Sequence, residues 1–285
     1  MGSSLALLLD ALNYTSVLLL VSIGLVIVFG MMQVINFAHG EFFLIGAYSL
    51  LVLQGLGTSF WLSLPLAFLI GGLFGLICDA VILRFIYDRP LDTILATWGL
   101  SLAFRQAIVI LFGPNSQQVT APFNGPVELF GVSYSSYRLV VMVIAIIISA
   151  VVFLILYRTS YGLAARAAMV NRSMAQCLGI NTRRLDQLTF SLGTALAGFS
   201  GAVMAPLMSV DPQMGLGFVL PAFLAILVGG VSSPVGAIWG SAVIGGSTIA
   251  ASSWWTPVIA QIVVFSLSVA VIRFLPAGLS GLRGK

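Results

Sequence analysis

The sequence predicts an all-α polytopic membrane protein of about eight to ten transmembrane or broken helices, with a weak internal two-fold repeat. Composition is the first reason: 60% of the 285 residues are hydrophobic and only 7% are charged, with a mean hydropathy of +1.12. Soluble domains carry roughly 25% charged residues because their surface faces water, so this surface is built for lipid. The second is the length of the charge-free runs, 11–40, 42–78 and 212–272. A single span needs about 20 apolar residues, so these runs alone hold several helices. The third is periodicity: a barrel would show alternating segments of about ten residues, and these runs are continuous instead.

Taken in order, hydrophobic helices are predicted near 12–31, 36–54, 60–86, 93–112, 137–157, 187–209, 218–229, 236–252 and 257–275. Residues 1–285 form one transmembrane domain. Met1-Gly-Ser-Ser-Leu lacks a basic n-region, so no cleavable signal peptide is expected. Arg158, Arg166, Arg172, Arg183 and Arg184 crowd the connection 158–186, which the positive-inside rule makes cytoplasmic. Arg84 and Arg89 mark a second cytoplasmic loop, and Arg283 with Lys285 a cytoplasmic tail. Counting back from the basic loop puts 113–136 and the N-terminus outside. That proline-bearing external stretch reads either as a plain connector or as a platform for an external partner. The net charge of +4 is a topology signal here and implies no nucleic acid. Cys78 and Cys177 suggest neither a disulfide framework nor a metal site.

Two stretches interrupt the helices. Residues 22–31 run into Gln33-Val-Ile-Asn-Phe-Ala-His-Gly-Glu41, and 218–228 run into Gly229-Gly-Val-Ser-Ser-Pro-Val-Gly236. Gly40 and Gly236 are read as equivalent positions, with Gly229 and Gly230 completing the second break. Paired Gly- or Pro-interrupted segments in two halves of a membrane protein point to a transport site. Asn36, His39 and Glu41 then either line a translocation path or satisfy backbone groups freed at the break. The two roles are compatible. Neutral Thr97, Ser101, Gln106 and Ser232 extend the candidate path. Gly193, Ala197 and Gly201 have small-xxx-small spacing, which predicts close helix packing.

Other chemistry is excluded or thin. The only lysine is Lys285, so the chain has no phosphate-cradling G-x-x-x-x-G-K-[ST] loop. An ATP-driven protein built on it must borrow its ATPase. Glu41, Asp79 and Arg105 are the few intramembrane charges that could serve ion coupling. Gly198-Phe-Ser-Gly201 matches the G-x-S-G of rhomboid proteases, but the only histidine, His39, lies four helices before Ser200, and such chemistry needs a base within reach. The segment 166–178 is rich in helix formers and ends at Gly179, a natural C-terminal cap. Its face of Ala167, Val170, Met174 and Cys177 or Leu178 either lies on the bilayer or docks a soluble partner.

Three stretches resemble one family over nearly the whole chain. Met31-Met-Gln-Val-Ile-Asn-Phe-Ala-His-Gly-Glu-Phe-Phe-Leu-Ile-Gly-Ala-Tyr48, the basic loop ending Leu178-Gly-Ile-Asn181, and Val228-Gly-Gly-Val-Ser-Ser-Pro-Val-Gly-Ala237 are similar to permease subunits of branched-chain amino acid and urea ABC importers. The resemblance implies a multi-pass protein of the bacterial inner membrane that is not itself an enzyme and binds no cofactor. It implies a second, related permease, two ATPase subunits that hold the ATP, and a periplasmic substrate-binding protein as partners. It makes the loop helix a coupling helix seated on an ATPase, with Arg166, Ala167, Asn171, Ala175 and Gly179 as coupling residues. Arg89-Pro-Leu-Asp-Thr-Ile-Leu-Ala-Thr-Trp-Gly-Leu-Ser101 is closer to the urea and short-chain-amide branch, with Asp92 where Glu is expected. The expected substrate is therefore urea or a short-chain amide. The alternatives are a branched-chain amino acid and an ATP-independent facilitator.

Overall fold

A computed structural model describes residues 2–32, 35–87, 89–123, 125–129, 131–231, 233–275 and 278–284. The described residues form eleven α-helices and one small hairpin. They are α1 (Gly2–Met32), α2 (His39–Gly55), α3 (Phe60–Val81), α4 (Pro90–Phe112), β1 (Pro126–Leu129), β2 (Val132–Ser135), α5 (Ser136–Arg158), α6 (Ser160–Val170), α7 (Arg172–Cys177), α8 (Thr182–Met204), α9 (Leu216–Gly229), α10 (Pro234–Trp254) and α11 (Pro257–Phe274). Seven of them, α1, α3, α4, α5, α8, α10 and α11, are long and apolar enough to cross a membrane. At 17 and 14 residues, α2 and α9 fall short of the roughly 20 that a span requires.

The two ends of the bundle are chemically distinct. One carries the antiparallel hairpin, in which Val127 pairs with Tyr134, and a bridge between Gln117 and Val210. There Arg138 pairs with Asp10, and the Tyr134 hydroxyl donates to the same carboxylate at 3.1 Å. This neutralisation lets α1 run as helix through Asp10, ten residues ahead of the predicted start. The opposite end gathers α6, α7 and the turns bearing Arg84, Arg89 and Arg273. Asn181 caps α8 by accepting from the Arg184 amide at 3.1 Å, so Arg183 and Arg184 lie in its first turn rather than in a loop.

Helix α8 is the axis of the fold. Backbones approach closely along it: Gly193 lies against Gly24 of α1, Gly198 against Gly46 of α2 and Gly71 of α3, and Gly201 against the Phe43 backbone. Gly193, Ala197 and Gly201 are all buried, as their spacing predicts. Ser200 is buried in the same helix and donates to the Leu196 carbonyl at 2.6 Å, a helix-internal bond of a packing residue.

The break after α1 has an unexpected shape. His39 Nε2 lies 3.3 Å from the Val21 carbonyl, although α1 continues to Met32, about 16 Å further along its axis. The chain therefore turns back inside the bundle, and α2 starts at mid-depth. A matching return precedes α9. From Val210, bridged at the hairpin end, the chain runs inward to Gly215, whose backbone touches that of Gly40. Helix α9 then leaves toward the arginine-rich end, where Val231 meets Gly30. The two half-helices thus start side by side and run in opposite directions, with Phe43 and Phe218 stacked at 4.7 Å between ring centroids.

This corrects the predicted equivalence of Gly40 with Gly236. The counterpart of Gly40 is Gly215. Gly229 and Gly236 touch each other instead, across a tight turn joining α9 to α10 at the arginine-rich end, where Gly230 takes a positive φ of 111°. The sequence pattern was misleading because a glycine-rich turn between antiparallel helices and a glycine-rich break inside one span look alike.

Candidate functional site

Irregular backbone at membrane depth survives only where protein or a cavity satisfies its polar groups. At the start of α2 that work is shared between neighbours. The Asn36 Oδ1 accepts from the Ala38 amide at 3.0 Å, capping the return. The Phe37 amide donates to Thr97 Oγ1 at 3.2 Å, and the same hydroxyl lies 3.4 Å from the Ile35 carbonyl. Thr97 belongs to a stripe on α4: Thr93, Thr97, Ser101 and Arg105 recur every four residues and so share one helix face. Thr93, Thr97 and Ser101 are buried, whereas most of the remaining α4 surface is exposed. The polar stripe is thus the seam joining α4 to α2.

At the upper end of this seam lies an ion pair. Arg105 Nε is 3.2 Å from Glu41 Oε1, which also accepts from Ser101 Oγ at 2.8 Å, while Arg105 Nη2 donates to Ser101 Oγ at 3.1 Å. The Glu41 side chain is 1% exposed and that of Arg105 21%. Three buried polar atoms at the start of α2 have no hydrogen-bond partner: Asn36 Nδ2, His39 Nδ1 and Glu41 Oε2. Asp79, the other intramembrane acid singled out, lies near the opposite end of α3 and accepts from the Tyr87 hydroxyl.

The second candidate region is the basic connection. The predicted single helix over 166–178 is two helices, α6 and α7, because Asn171 leaves helical geometry to cap α7, accepting from the Met174 amide at 2.9 Å. Gly179 closes α7 with a φ of +85°, as its capping role requires. Arg166 is half-buried, stacking over the Tyr157 ring at 4.7 Å and donating to the Gly162 carbonyl. Arg172 pairs with both oxygens of the buried Asp186 carboxylate, tying α7 to α8. Tyr161 and Thr189 share a 2.9 Å hydrogen bond, and burial pushes the Tyr161 phenol above its ordinary pKa. On the outer side Val170, Met174 and Leu178 stand exposed.

Residues 7–272 match the family model for the permease component of branched-chain amino acid transport systems. The chain belongs to that family. The permease is 27% identical to the high-affinity branched-chain amino acid transport system permease protein LivH of Escherichia coli, over 92% of this chain and 90% of that one. A probable branched-chain amino acid transport permease protein LivH of Methanocaldococcus jannaschii is 29% identical, over 96% and 92%. LivM of Salmonella typhimurium, a permease protein of the same kind of system, is 27% identical, over 79% of this chain and 59% of its own length. No solved structure matches. The permease is accordingly a multi-pass inner-membrane transport subunit rather than an enzyme.

The predicted site residues divide by location. Asn36, His39, Gly40, Glu41, Thr97 and Ser101 come together at the start of α2. Gln106 does not join them, because one residue beyond Arg105 the helix turns it onto the exposed face of α4. Ser232 lies outside the described residues. Gly229, Gly230 and Gly236 form the α9–α10 turn. In the basic connection Arg166 and Ala167 are half-buried and Asn171 and Gly179 exposed, but Ala175 is 1% exposed and packs inward among Ala165, Ala168 and Leu185. It therefore offers no surface to a docked subunit. Sequence reasoning missed Arg105 as the partner of Glu41. The four-residue spacing of Thr93, Thr97, Ser101 and Arg105 was the available signal. It also missed Gly215, which no motif marks.

Proposed function

We propose that this chain is one transmembrane permease of an ATP-driven importer for branched-chain amino acids, working by alternating access. The observation that carries the reading is the meeting of two oppositely directed half-helices at Gly40 and Gly215, inside a bundle with seven helices long and apolar enough to cross a membrane. Discontinuous helices of this kind expose dipolar ends and unsatisfied polar groups at the depth where transporters bind their cargo. The substrate is taken from the relatives: LivH of two organisms and LivM all carry branched-chain amino acid transport in their names, and none of them supports the urea branch. Similarity to both LivH and LivM fits a pair of related permeases.

Two ATPase subunits, which bind the ATP, and a periplasmic binding protein complete the proposed machine. In this reading 158–186 is the cytoplasmic coupling segment, and the exposed Val170, Met174 and Leu178 seat against the ATPase. The Arg172–Asp186 pair passes its displacement to α8, whose close contact with α2 carries it to that half-helix and, through the Gly40–Gly215 contact, to α9. Asn36, His39, Glu41, Thr97 and Ser101 line the path.

The test is uptake of labelled leucine and labelled urea by proteoliposomes holding this chain with its partner subunits, with and without ATP. ATP-dependent leucine uptake is expected. ATP-dependent urea uptake without leucine uptake would overturn the substrate, and ATP-independent flux of either would overturn the importer.

A further inference from the structure

We propose that the Glu41–Arg105 pair is the station at which the permease holds an α-amino acid as its zwitterion. The inference rests on the reading of the chain as an amino acid permease and goes beyond it by naming the atoms that receive the cargo.

A zwitterion poses a particular problem at membrane depth. Each of its charges loses several kcal/mol of hydration unless an opposite charge or aligned dipoles replace the water. A site for it must therefore supply both signs, close together, at the place where the path is narrowest. The structure holds such a combination at the start of α2, where Glu41 and Arg105 lie 3.2 Å apart. The pair is neutral as a unit, so a neutral zwitterion can insert between its members without leaving net charge in the bilayer. The ammonium takes the Glu41 carboxylate and the cargo carboxylate takes the Arg105 guanidinium, so each ion exchanges one partner for another.

The spare hydrogen-bonding capacity fits the same cargo. Glu41 Oε2 is buried and accepts nothing, which leaves an acceptor for an ammonium N–H. Asn36 is 2% exposed and its Nδ2 donates to nothing, which leaves a donor for a carboxylate oxygen. Buried polar atoms without partners are rare because each costs about 1–3 kcal/mol. Two of opposite character at one helix start, one of them in the ion pair itself, signal a ligand with both a donor and an acceptor end. The amino-terminal ends of α2 and α9 meet at Gly40 and Gly215 and add positive potential for the carboxylate. The Arg105 side chain is partly exposed, which gives the pair access to the outer side of the chain.

One helical turn further along α2 the chemistry changes to that of an aliphatic side chain. A crevice of about 290 Å³ opens between α2, α3 and α4, lined by Ile45, Val52, Phe104, Ala107 and Leu111 among others. Ile45 follows Glu41 by one turn, and Phe104 adjoins Arg105. A charged head held at the pair thus directs its side chain into an apolar recess. Urea, which has neither charge nor aliphatic tail, would neither need the two opposite charges nor fill the apolar recess.

The experiment uses the reconstituted importer, with its partner permease, ATPases and loaded binding protein in proteoliposomes. Glu41→Gln retains the side-chain shape and the acceptor for Ser101 but removes the charge. Leucine uptake is expected to fall by about 10- to 100-fold, the equivalent of one charge-assisted hydrogen bond, while binding-protein-stimulated ATP hydrolysis continues. Ala107→Phe, which fills the crevice from an exposed position, is expected to depress leucine uptake more than alanine uptake. In parallel, a diazirine analogue of leucine is photolysed with the wild-type importer and labelled peptides are mapped. Label within 36–48 or 104–111, displaced by leucine, is expected. Wild-type leucine transport that Glu41→Gln leaves intact would overturn the station and spare the permease reading. If uptake, hydrolysis and thermal stability fall together, the pair is a structural tie, and photolabel confined to other segments then overturns the proposal. Absence of ATP-driven leucine uptake by the wild type would remove the permease reading and the station with it.

Discussion

Three glycine-to-alanine substitutions test whether backbone contact along α8 and α2 holds the bundle together. Each adds the same methyl group, so the outcome depends only on what that methyl meets. At Gly46 it falls inside the Gly198 backbone, where no rotamer change provides relief and α2 must move away from α8 by about 1 Å or more. Overpacking of this kind costs typically 1–3 kcal/mol, and a rigid backbone partner puts Gly46→Ala at the upper end, about 3 kcal/mol. At Gly198 the added carbon lies 3.2 Å from the Ala67 carbonyl oxygen and 3.3 Å from Gly71 Cα, a strain that small shifts relieve. The gain of about 1 kcal/mol in helix propensity offsets most of it. At Gly246 nothing lies within 4 Å, so only that gain remains. With about 2–4 °C per kcal/mol, the purified chain in detergent should melt about 6–12 °C lower for Gly46→Ala, within about 3 °C of wild type for Gly198→Ala, and at or a few degrees above wild type for Gly246→Ala. The assay is thermal unfolding followed by tryptophan fluorescence. A Gly46→Ala protein as stable as wild type, or equal losses at all three sites, would refute the close-contact argument.

Thr97→Val keeps the shape but leaves the Phe37 amide without its acceptor at membrane depth, with an expected cost of about 1–3 kcal/mol; the same melting assay reads it, and Thr97→Ser should recover most of the loss. Arg172→Ala strands the buried Asp186 carboxylate and should cost about 2 kcal/mol, below the range for fully buried pairs because the guanidinium is partly solvated. Adding Asp186→Asn to that variant should restore part of the loss, and additive losses in the double mutant would count against the pairing. On the exposed face of the coupling segment, Val170→Asp should leave melting within about 0.5 kcal/mol yet weaken co-purification of the ATPase subunits; undiminished co-purification would mean the ATPase docks elsewhere.

Much of the fold was legible because lipid imposes simple rules. Helix positions followed from charge-free runs; α4, α10 and α11 begin at Pro90, Pro234 and Pro257, which a first helical turn tolerates, so the expected starts at 93 and 236 fell short of the first two. Part of the site was legible as well, since Asn36, His39 and Glu41 stand out as polar residues between apolar stretches. The outer start of α1 was missed because Asp10 reads as a boundary until Arg138, 128 residues away, neutralises it. The division of 166–178 into α6 and α7 was missed because Asn171 is as acceptable within a helix as it is at a cap.

What the amino-acid sequence determined by itself is local and solvent-driven: an all-α membrane bundle, its order of helices, its basic end, and a family that residues 7–272 match. Tertiary structure decided which interruption pairs with which. Gly40 meets Gly215 rather than matching Gly236, and Glu41 finds Arg105 on a helix 64 residues away in the chain, because both contacts depend on how far each half-helix turns back into the bundle. That depth is set by packing against α1 and α8, a property of the assembled bundle that no local pattern of residues encodes.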